Sequence, residues 1–369
     1  MRVIHFVTGG FSGGATQVAA NLAQMHNLYP QVEPILVLRK KAHMPTAKVE
    51  HLKQMGVRVH IVNNWSHITT IMALIRLCLQ LRPDIFVAHG FSEHIWGRIA
   101  AIIAKVPHIV QVEHNTRERY TRLRLALSRW LNRYTDALVG CSEGVRQVLL
   151  KRGYPQAKCI AISNGINTRP FVETPAPLVE RKRQIIMISR IAKQKDHATL
   201  IRAVAQLKSA GIELPLLLVG KGKSKITKQL TELTQALGVD SLVQFCGYRS
   251  DVPKLLNESR IFVQCTHYEG MPLTLIEAMA AGCAVIGSEV PGVQETIEEN
   301  FNGLLHRHAS ADDLAQKIKR LLDNDDFAQQ LAVRAREQAL SEYSQEQMNH
   351  RYYQLFQQLI SHNGNPNAF

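Results

Sequence analysis

Short, mostly apolar runs alternate with helix-like segments along almost the whole chain. Runs such as 3–7, 85–88 and 184–188 are long enough for buried strands, and amphipathic stretches separate them. This alternation predicts right-handed βαβ units and parallel sheets. The pattern stops over 164–177, where Pro and Gly are dense, and then restarts. We therefore expect an α/β protein with two doubly wound, Rossmann-like domains.

The length of the chain agrees with two domains. With 369 residues, each half is large enough to bury a core of its own. The segment 345–361 is predicted to form a long, aromatic-rich terminal helix. The predicted organisation is a first domain over 1–167, a linker over 168–183, a second domain over 184–344 and the terminal helix over 345–361.

Positive charge is concentrated in the first half of the chain. The formal net charge is +14; residues 1–180 carry 22 Lys and Arg against 10 Asp and Glu, and residues 181–369 carry 22 against 20. An anionic partner or surface is therefore expected for the first domain. A nucleic-acid-binding protein is a weak alternative, because an aromatic content of 6% offers few stacking side chains.

Other features favour a cytoplasmic protein. The chain enters a strand-like run directly after Met1, so a signal peptide is not expected. No apolar run reaches 18 residues, and the six Cys include no Cys-x-x-Cys pair. We expect a cytoplasmic location, with peripheral contact at the inner face of the membrane.

The stretch 268–282 carries the strongest functional signal. It places Glu269 and Glu277 eight residues apart, after an apolar run over 261–265 and at the start of helix-forming residues over 273–281. A strand, a glycine-containing turn and a helix start together make an anion site, since free N–H groups and the helix dipole point to one place. Carboxylates beside such a site are suited to hold the hydroxyl groups of a sugar or ribose.

Basic residues follow another predicted strand. Arg190 and Lys195 are five residues apart after the run 184–188, so both can reach one anion. A departing nucleoside diphosphate is such an anion, and its neutralisation is the main electrostatic task of sugar transfer.

Two further turns are candidates for nucleotide contacts. Gly220 closes a strand in a Val-Gly-x-Gly turn, where a missing side chain permits close approach of a ligand. Tyr248 and Arg249 are placed to stack on a base, although a helix-capping turn at Ser250 and Asp251 remains an equal alternative.

These motifs resemble those of the retaining nucleotide-sugar glycosyltransferases of family 4. The resemblance is carried by the string Gly-Met-Pro-Leu after Glu269 and by Glu-Ala-Met-Ala-Ala-Gly from Glu277. It implies the GT-B fold, in which two Rossmann-like domains face each other across a cleft and the terminal helix returns to the first domain. Ser189 and Asp196 depart from the family pattern, which often has Gly at both positions, and they put the local turn in question.

The resemblance also implies roles for individual residues. It assigns catalytic roles to Glu269, His114, Arg190 and Lys195. The residues that it implies contact the nucleotide-sugar donor are Gly14, Arg190, Lys195, Gly220, Tyr248, Arg249, Glu269, Gly270, Met271, Leu273, Thr274 and Glu277.

The first domain has candidates for the acceptor side. His114 follows the strand-like run 109–112, and the resemblance places such a His near the reacting sugar; His89 is a second candidate. The helix-like segment 117–134 carries six Arg interleaved with apolar residues. Its residues Arg119, Arg122 and Trp130 are predicted to contact an anionic membrane or an acceptor's pyrophosphate. An ordinary surface helix packed on the sheet is an equal alternative.

No cofactor is expected, and no metal. Residues 323–326 contain Asp-x-Asp, a metal signature of other glycosyltransferases, but they lie between two terminal helices, where a helix cap is the better interpretation.

The predicted function is retaining transfer of a hexosyl or N-acetylhexosaminyl group. The donor is a nucleotide diphosphate sugar, and the acceptor is a saccharide or lipid-linked glycan in surface polysaccharide synthesis. Alternatives are a nucleotide-sugar 2-epimerase and a non-catalytic protein that binds glycans or nucleotide sugars.

Overall fold

The structure, a computed structural model, describes residues 1–361 apart from 12, 43, 91, 92, 118 and 119. It divides into two compact units. Unit 1 comprises Met1–Gly165 together with the segment that begins at Gln345, and unit 2 comprises Ile166–Ser344.

Each unit is built on one parallel sheet. In unit 1 the strand order is β3-β2-β1-β4-β5-β6-β7, and in unit 2 it is β10-β9-β8-β11-β12-β13. The strands of unit 1 are β1 (Arg2–Thr8), β2 (Glu33–Arg39), β3 (Arg58–Val62), β4 (Ile85–His89), β5 (His108–Glu113), β6 (Ala137–Gly140) and β7 (Cys159–Ala161). Those of unit 2 are β8 (Lys182–Ile188), β9 (Leu216–Val219), β10 (Val243–Gly247), β11 (Ser259–Gln264), β12 (Ala284–Ser288) and β13 (Leu304–His306).

Helices follow the strands, as the alternation in the sequence requires. They are α1 (Gly14–Leu22), α2 (Thr46–Gln54), α3 (His67–Leu81), α4 (Glu93–Ile103), α5 (Arg122–Leu131), α6 (Glu143–Lys151), α7 (His197–Ser209), α8 (Ser224–Ala236), α9 (Val252–Glu258), α10 (Leu273–Ala280), α11 (Pro291–Gln294), α12 (Ala311–Asp323), α13 (Asp325–Glu342) and α14 (Gln345–Ser361). In the described part of the chain, no helix combines the length and hydropathy needed to cross a bilayer.

The central strands form near-continuous apolar runs because helices cover both faces of a parallel sheet. One core of unit 1 lies under α3 and α4, where Phe6 and Phe86 are fully buried. The core of unit 2 packs α7 and α12 against residues of β8 and β11 such as Ile185 and Val263.

The terminal helix α14 packs on α1 within unit 1. The ring of Tyr353 stacks on Tyr29 with centroids 4.0 Å apart, and the Tyr29 hydroxyl lies 2.8 Å from Nδ1 of His350. The buried side chains of Tyr352 and Phe356 complete this contact surface.

The sequence patterns predicted the presence of helices and strands more accurately than the residues at which they begin and end. The helix predicted over 117–134 is shorter, since α5 begins at Arg122 behind Thr121, whose side chain accepts a hydrogen bond from the Arg124 N–H. The elements that were not predicted include the short β13 and α11, with three and four residues, and the helix α2. The predicted linker 168–183 belongs to unit 2, where Phe171 and Leu178 are buried.

Both sheets reverse their strand order at one point. The first strand of each unit has neighbours on both sides: β1 lies between β2 and β4, and β8 between β9 and β11. Doubly wound sheets bind ligands beside such a switch point, at the carboxyl ends of the strands. The loops that follow β8 and β11, and those that follow β1 and β4, are therefore the places to look for function.

Candidate functional site

The loops after β8 and β11 are joined by hydrogen bonds. The backbone oxygen of Gln194 accepts from the His267 N–H at 2.8 Å and from the Thr266 hydroxyl at 3.1 Å. The Gln194 side chain donates to the backbone oxygen of Tyr268 at 2.8 Å. The turn that carries the basic residues is thus fixed to the turn that carries Glu269.

Lys195 and Glu269 form an ion pair at this junction. The Lys195 ammonium donates to Oε1 of Glu269, and the two side chains are only 13% and 12% exposed. The same oxygen accepts from Gln194 Nε2 at 3.3 Å, and it lies 3.3 Å from the Thr266 hydroxyl oxygen, whose shorter contact is to the backbone oxygen of Gln194. In so sheltered a place, removal of either partner would leave the other charge poorly compensated.

The start of α10 offers unpaired backbone donors. Among the described residues, the N–H groups of Gly270, Leu273 and Thr274 have no hydrogen-bond partner, while the Leu275 N–H already donates to the oxygen of Pro272 at 3.1 Å. The Thr274 hydroxyl donates to Gln264, the last residue of β11. The helix start next to Glu269 therefore has the donors and the dipole direction to bind an anion.

Glu277 lies one turn further along α10. It is partly exposed, and within the described residues its carboxyl group has no hydrogen bond and no ion pair. Burial raises the pKa of this carboxyl group to about 7. Such a group lacks hydrogen-bond donors, and the hydroxyl groups of a ligand would supply them.

Arg190, in contrast to Lys195, is exposed, and its guanidinium group has no hydrogen bond or ion pair in the described part of the chain. Its backbone is held because the Ser189 amide donates to Val219, the last residue of β9, at 2.9 Å, and the Ile191 amide donates to Lys221 in the loop that follows, at 3.0 Å. The guanidinium group therefore extends from an anchored backbone and is available to an anion.

The two departures from the family pattern have structural explanations. Asp196 has φ of 25°, in the left-handed region that glycine enters freely and that Asp tolerates better than most residues. The Ser189 hydroxyl lies 3.1 Å from Nε2 of His197 at the start of α7. Both substitutions keep the turn instead of disrupting it.

Gly220 has a structural role that the sequence did not reveal. A Cβ atom there would lie 1.9 Å from the backbone oxygen of Ser189, and its φ of 141° is unfavourable for other residues. The missing side chain thus makes room for the turn that carries Arg190. A donor contact at Gly220 stays a prediction.

Tyr248 and Arg249 follow β10, farther from the switch point. Arg249 donates to both oxygens of Asp251, at 2.8 and 2.5 Å, and this contact lowers the pKa of the Asp251 carboxyl group to about 2. Asp251 therefore pairs with Arg249 and makes no side-chain capping bond to α9. Tyr248 is 55% exposed, so its ring is accessible to a base.

Three histidines form a chain in unit 1. His5 Nδ1 lies 3.1 Å from His89 Nε2, and His89 Nδ1 lies 3.1 Å from His114 Nε2. Burial lowers the pKa of His5 to about 3 and that of His114 to about 4, so all three rings are neutral near pH 7. His89 is fully buried, which does not fit the predicted contact between His89 and an acceptor.

The other residues predicted for unit 1 are not gathered at one point. Gly14 begins α1, while Arg122 and Trp130 are exposed on α5, where Trp130 packs edge-on against Tyr134. Arg119 lies outside the described residues. The helix α5 buries Ser128 and Leu131, so it packs on the unit as the alternative interpretation required and still exposes a basic, apolar face.

The described part of the chain was also searched for a metal site. Within the described residues, no group of three or more His, Cys, Asp or Glu side chains is arranged to hold a metal ion. In the Asp-x-Asp segment, the side chain of Asn324 accepts a hydrogen bond from the Phe327 N–H at 2.9 Å and caps α13, as the sequence indicated.

Sequence analysis missed the residues that support the site. Gln194 and Thr266 hold the turn around Glu269, and His5 holds His89. The one available signal was a polar side chain beside or within an apolar strand, as with His5 in the run 3–7. That signal marks a buried polar group but does not identify its partner.

Comparison with known proteins identifies the class. The family model described as Glycosyltransferase Family 4 matches residues 12–169, and that described as Glycosyl transferases group 1 matches residues 170–338. The chain belongs to the family 4 glycosyltransferases and has their GT-B fold, with two Rossmann-like domains. The predictions of family, fold class and enzyme class are confirmed.

Individual relatives are distant but similar over most of their length. A putative colanic acid biosynthesis glycosyltransferase of Escherichia coli is 24% identical over 351 residues, covering 85% of this chain and 84% of the relative. The N,N'-diacetylbacillosaminyl-diphospho-undecaprenol alpha-1,3-N-acetylgalactosaminyltransferase of Campylobacter jejuni is 23% identical over 340 residues, covering 84% and 88%. The crystal structure of Anabaena HepE in complex with UDP-glucose, 20% identical, superposes with a TM-score of 0.86 over 97% of this chain and 100% of that one.

The raised pKa of Glu277 makes stability depend on pH. The carboxyl group ionises near pH 4.5 in the unfolded chain and near pH 7 in the folded protein. Folding therefore binds a proton between these values, and the free energy of unfolding falls as pH rises through this window. The full cost above pH 7 is on the order of 3 kcal/mol.

We predict that Glu277→Gln removes this cost. Without nucleotide, the variant should be more stable than the native protein at pH 8, with a much smaller difference at pH 5, as measured by urea unfolding. The exposed Glu337→Gln serves as the control and should show no such dependence. Equal stability of Glu277→Gln and the native protein at pH 8 would contradict the raised pKa of this carboxyl group.

Proposed function

We propose that this glycosyltransferase transfers a hexosyl or N-acetylhexosaminyl group, with retention, from a nucleotide diphosphate sugar. The acceptor is a lipid-linked or other saccharide in surface polysaccharide synthesis. The observation that carries the proposal lies at the switch point of unit 2. There, the guanidinium of Arg190, the amides at the start of α10 and the carboxyl group of Glu277 are unpaired as far as the described residues go.

Each of these groups matches one part of a nucleotide sugar. The diphosphate accepts hydrogen bonds and carries negative charge, so it suits Arg190, Lys195 and the N–H groups of Gly270, Leu273 and Thr274. The ribose hydroxyls donate to Glu277. Glu269, held by Lys195, faces the sugar hydroxyls. UDP is the first candidate nucleotide, because the structurally similar HepE was crystallised with UDP-glucose.

The chemistry follows from these charges. As the bond between sugar and diphosphate opens, negative charge builds up on the phosphate oxygens, and fixed positive charges and amides stabilise it. We propose that the acceptor hydroxyl attacks on the face that the diphosphate leaves and passes its proton to a phosphate oxygen. No protein base and no metal ion is required in this scheme.

The acceptor is assigned to unit 1, with a membrane surface nearby. The name of the Campylobacter relative describes an acceptor linked to undecaprenol through a diphosphate, which supports a lipid-linked acceptor here. Unit 1 also contains most of the excess positive charge. Anionic lipid headgroups and a lipid pyrophosphate would both be attracted to it.

Exposed apolar side chains lie at the starts of α3 and α5. Trp65 is 84% exposed, Ile68 70% and Leu123 79%, which is unusual for large apolar groups. Burial lowers the pKa of His67, between Trp65 and Ile68, and the charges of Arg39 and Arg124 lower it further, so Arg124 of α5 acts electrostatically on the start of α3. Apolar tips surrounded by Arg fit an anionic bilayer surface.

Removal of Arg190 is expected to impair transfer without affecting the fold. A thermal-shift screen of UDP-, GDP- and ADP-sugars identifies the donor, since a bound donor stabilises the folded state. With that donor, Arg190→Ala should lower kcat/KM by about 10²–10³-fold, since it removes a positive charge from the leaving group.

Lys193→Ala is the matched control, because Lys193 is exposed on the same turn and is not assigned to the site. It should stay within about threefold of the native rate, as ordinary surface substitutions do. Activity should persist in EDTA. Equal activity of the Arg190 and Lys193 variants would contradict the assignment of Arg190 to the donor site. Turnover of the donor to an epimer without acceptor would instead favour the 2-epimerase alternative.

Membrane contact is testable with vesicles. The protein should co-sediment with phosphatidylglycerol vesicles but not with phosphatidylcholine vesicles, and the binding should weaken at high salt. The double variant Trp65→Ser with Leu123→Ser should bind at least about tenfold more weakly, because it removes the apolar tips.

Val172→Ser is the control for this variant, since Val172 is 71% exposed but lies in unit 2. It should bind like the native protein. If the double variant also binds like the native protein, the starts of α3 and α5 are not the membrane contact.

A further inference from the structure

Unit 2 contains a cavity of about 240 Å³ beside the end of α10. Its walls come from the segment 174–181, from Gly282 just after α10 and from one face of α13. The proposed site for the nucleotide sugar lies at the start of α10, so the proposed function makes no use of this cavity.

Two arginines line the cavity, and within the described residues neither forms an ion pair. Arg181 is only 8% exposed. Its Nε donates to the backbone oxygen of Ala176 at 2.9 Å, while its Nη1 is buried without a hydrogen-bond partner. A buried guanidinium without a counter-charge is costly, so the position of Arg181 needs an explanation.

Arg336 is held close to Arg181 by backbone carbonyl groups. Its guanidinium donates to the oxygen of Ala280 and to those of Val172 and Glu173, the last two at 3.3 and 3.0 Å. These contacts orient the group but supply no negative charge. Burial lowers the pKa of Arg336, and the nearby charge of Arg181 lowers it further, as expected for two cations that repel each other.

A neutral hydrogen-bond donor lies on the same wall. Oε1 of Gln329 accepts from the Leu178 N–H at 2.8 Å, which fixes the orientation of the amide. Its Nε2 makes no hydrogen bond within the described residues and is left to donate.

Gly282 leaves space next to both guanidinium groups. A Cβ atom there would lie 3.2 Å from Nη2 of Arg181 and 3.9 Å from Cδ of Arg336. A φ of 69° after the end of α10 already favours glycine, and the missing side chain also keeps this side of the cavity open.

The charges around the cavity do not balance. Among the described residues that line it, only Glu337 is acidic, and that side chain is exposed and forms no ion pair. One solvated carboxylate beside two sheltered cations leaves an excess of positive charge, which an anion in the cavity would offset.

We propose that this cavity binds a phosphate group, free or in a phosphate ester, through Arg181, Arg336 and Gln329. The planar guanidinium group matches the oxygens of phosphate, and the double charge of phosphate offsets both arginines where a carboxylate would offset one. The bound group would add to the contacts by which the arginines already hold the carbonyl groups of the segment 172–176.

Calorimetric titration of inorganic phosphate into the whole protein, at constant ionic strength, tests the site. We expect the native protein to bind phosphate with a Kd on the order of 1 mM. Arg336→Gln should weaken this binding at least about tenfold, because it removes a charged hydrogen-bond donor. Absence of phosphate binding by the native protein would overturn the proposal.

A second variant leaves both arginines and their backbone contacts in place. Val333 lines the cavity on α13 and is 44% exposed, so Val333→Glu adds a carboxylate at the rim without burying a charge. It should weaken phosphate binding about tenfold, since the new carboxylate repels phosphate and pairs with the arginines. The control is Gln330→Glu, which makes the same change of charge on the exposed face of α13 outside the cavity and should bind like the native protein.

Equal phosphate affinity of the Val333→Glu and Gln330→Glu variants would overturn the proposal. Arg190→Ala should retain the binding that Val333→Glu weakens. If Arg190→Ala abolishes phosphate binding and Val333→Glu does not, the anion lies at the proposed donor site and not in this cavity. The two proposals therefore fail separately.

Titration of glucose 6-phosphate distinguishes the source of the phosphate group. Tighter binding than that of inorganic phosphate, lost again in Val333→Glu, supports the site and assigns it to a phosphate ester. Weaker binding of the ester, with inorganic phosphate still sensitive to Val333→Glu, supports the site and assigns it to the free ion.

Discussion

The joined loops after β8 and β11 are the interaction on which the candidate donor site depends. Gln194, Thr266 and the ion pair of Lys195 with Glu269 link two loops that leave neighbouring strands at the switch point. Two opposite charges hold each other in a sheltered place, so neither turn can rearrange without exposing or isolating a charge. The site is thereby arranged before a ligand arrives, which favours electrostatic stabilisation of a leaving group.

The groups left unpaired are as informative as those that are paired. Among the described residues at the switch point of unit 2, they are the guanidinium of Arg190, the N–H groups at the start of α10 and the carboxyl group of Glu277. Negative charge suits the first two, and hydroxyl groups suit the carboxyl group. A diphosphate joined to a ribose offers both.

Much of the architecture could be predicted from the sequence because alternating apolar strands and amphipathic helices leave few topologies open. The anion site at α10 was recognisable because its strand, turn and helix start are contiguous. The contacts of Gly220 with Ser189 and of His5 with His89 were not recognisable, since they join residues distant in the chain. Lys195 and Glu269 were both predicted, but their ion pair required the register between β8 and β11, which the sequence does not specify.

The central claim is that the start of α10 binds a nucleoside diphosphate and that Glu277 holds its ribose. Calorimetric titration of UDP and of its 2′,3′-dideoxy analogue, into the native protein and into Glu277→Gln, tests this most directly. We expect the native protein to bind UDP more tightly than the analogue by about 1–3 kcal/mol, and the variant to lose most of that difference. An equal preference for UDP in both proteins would contradict the account.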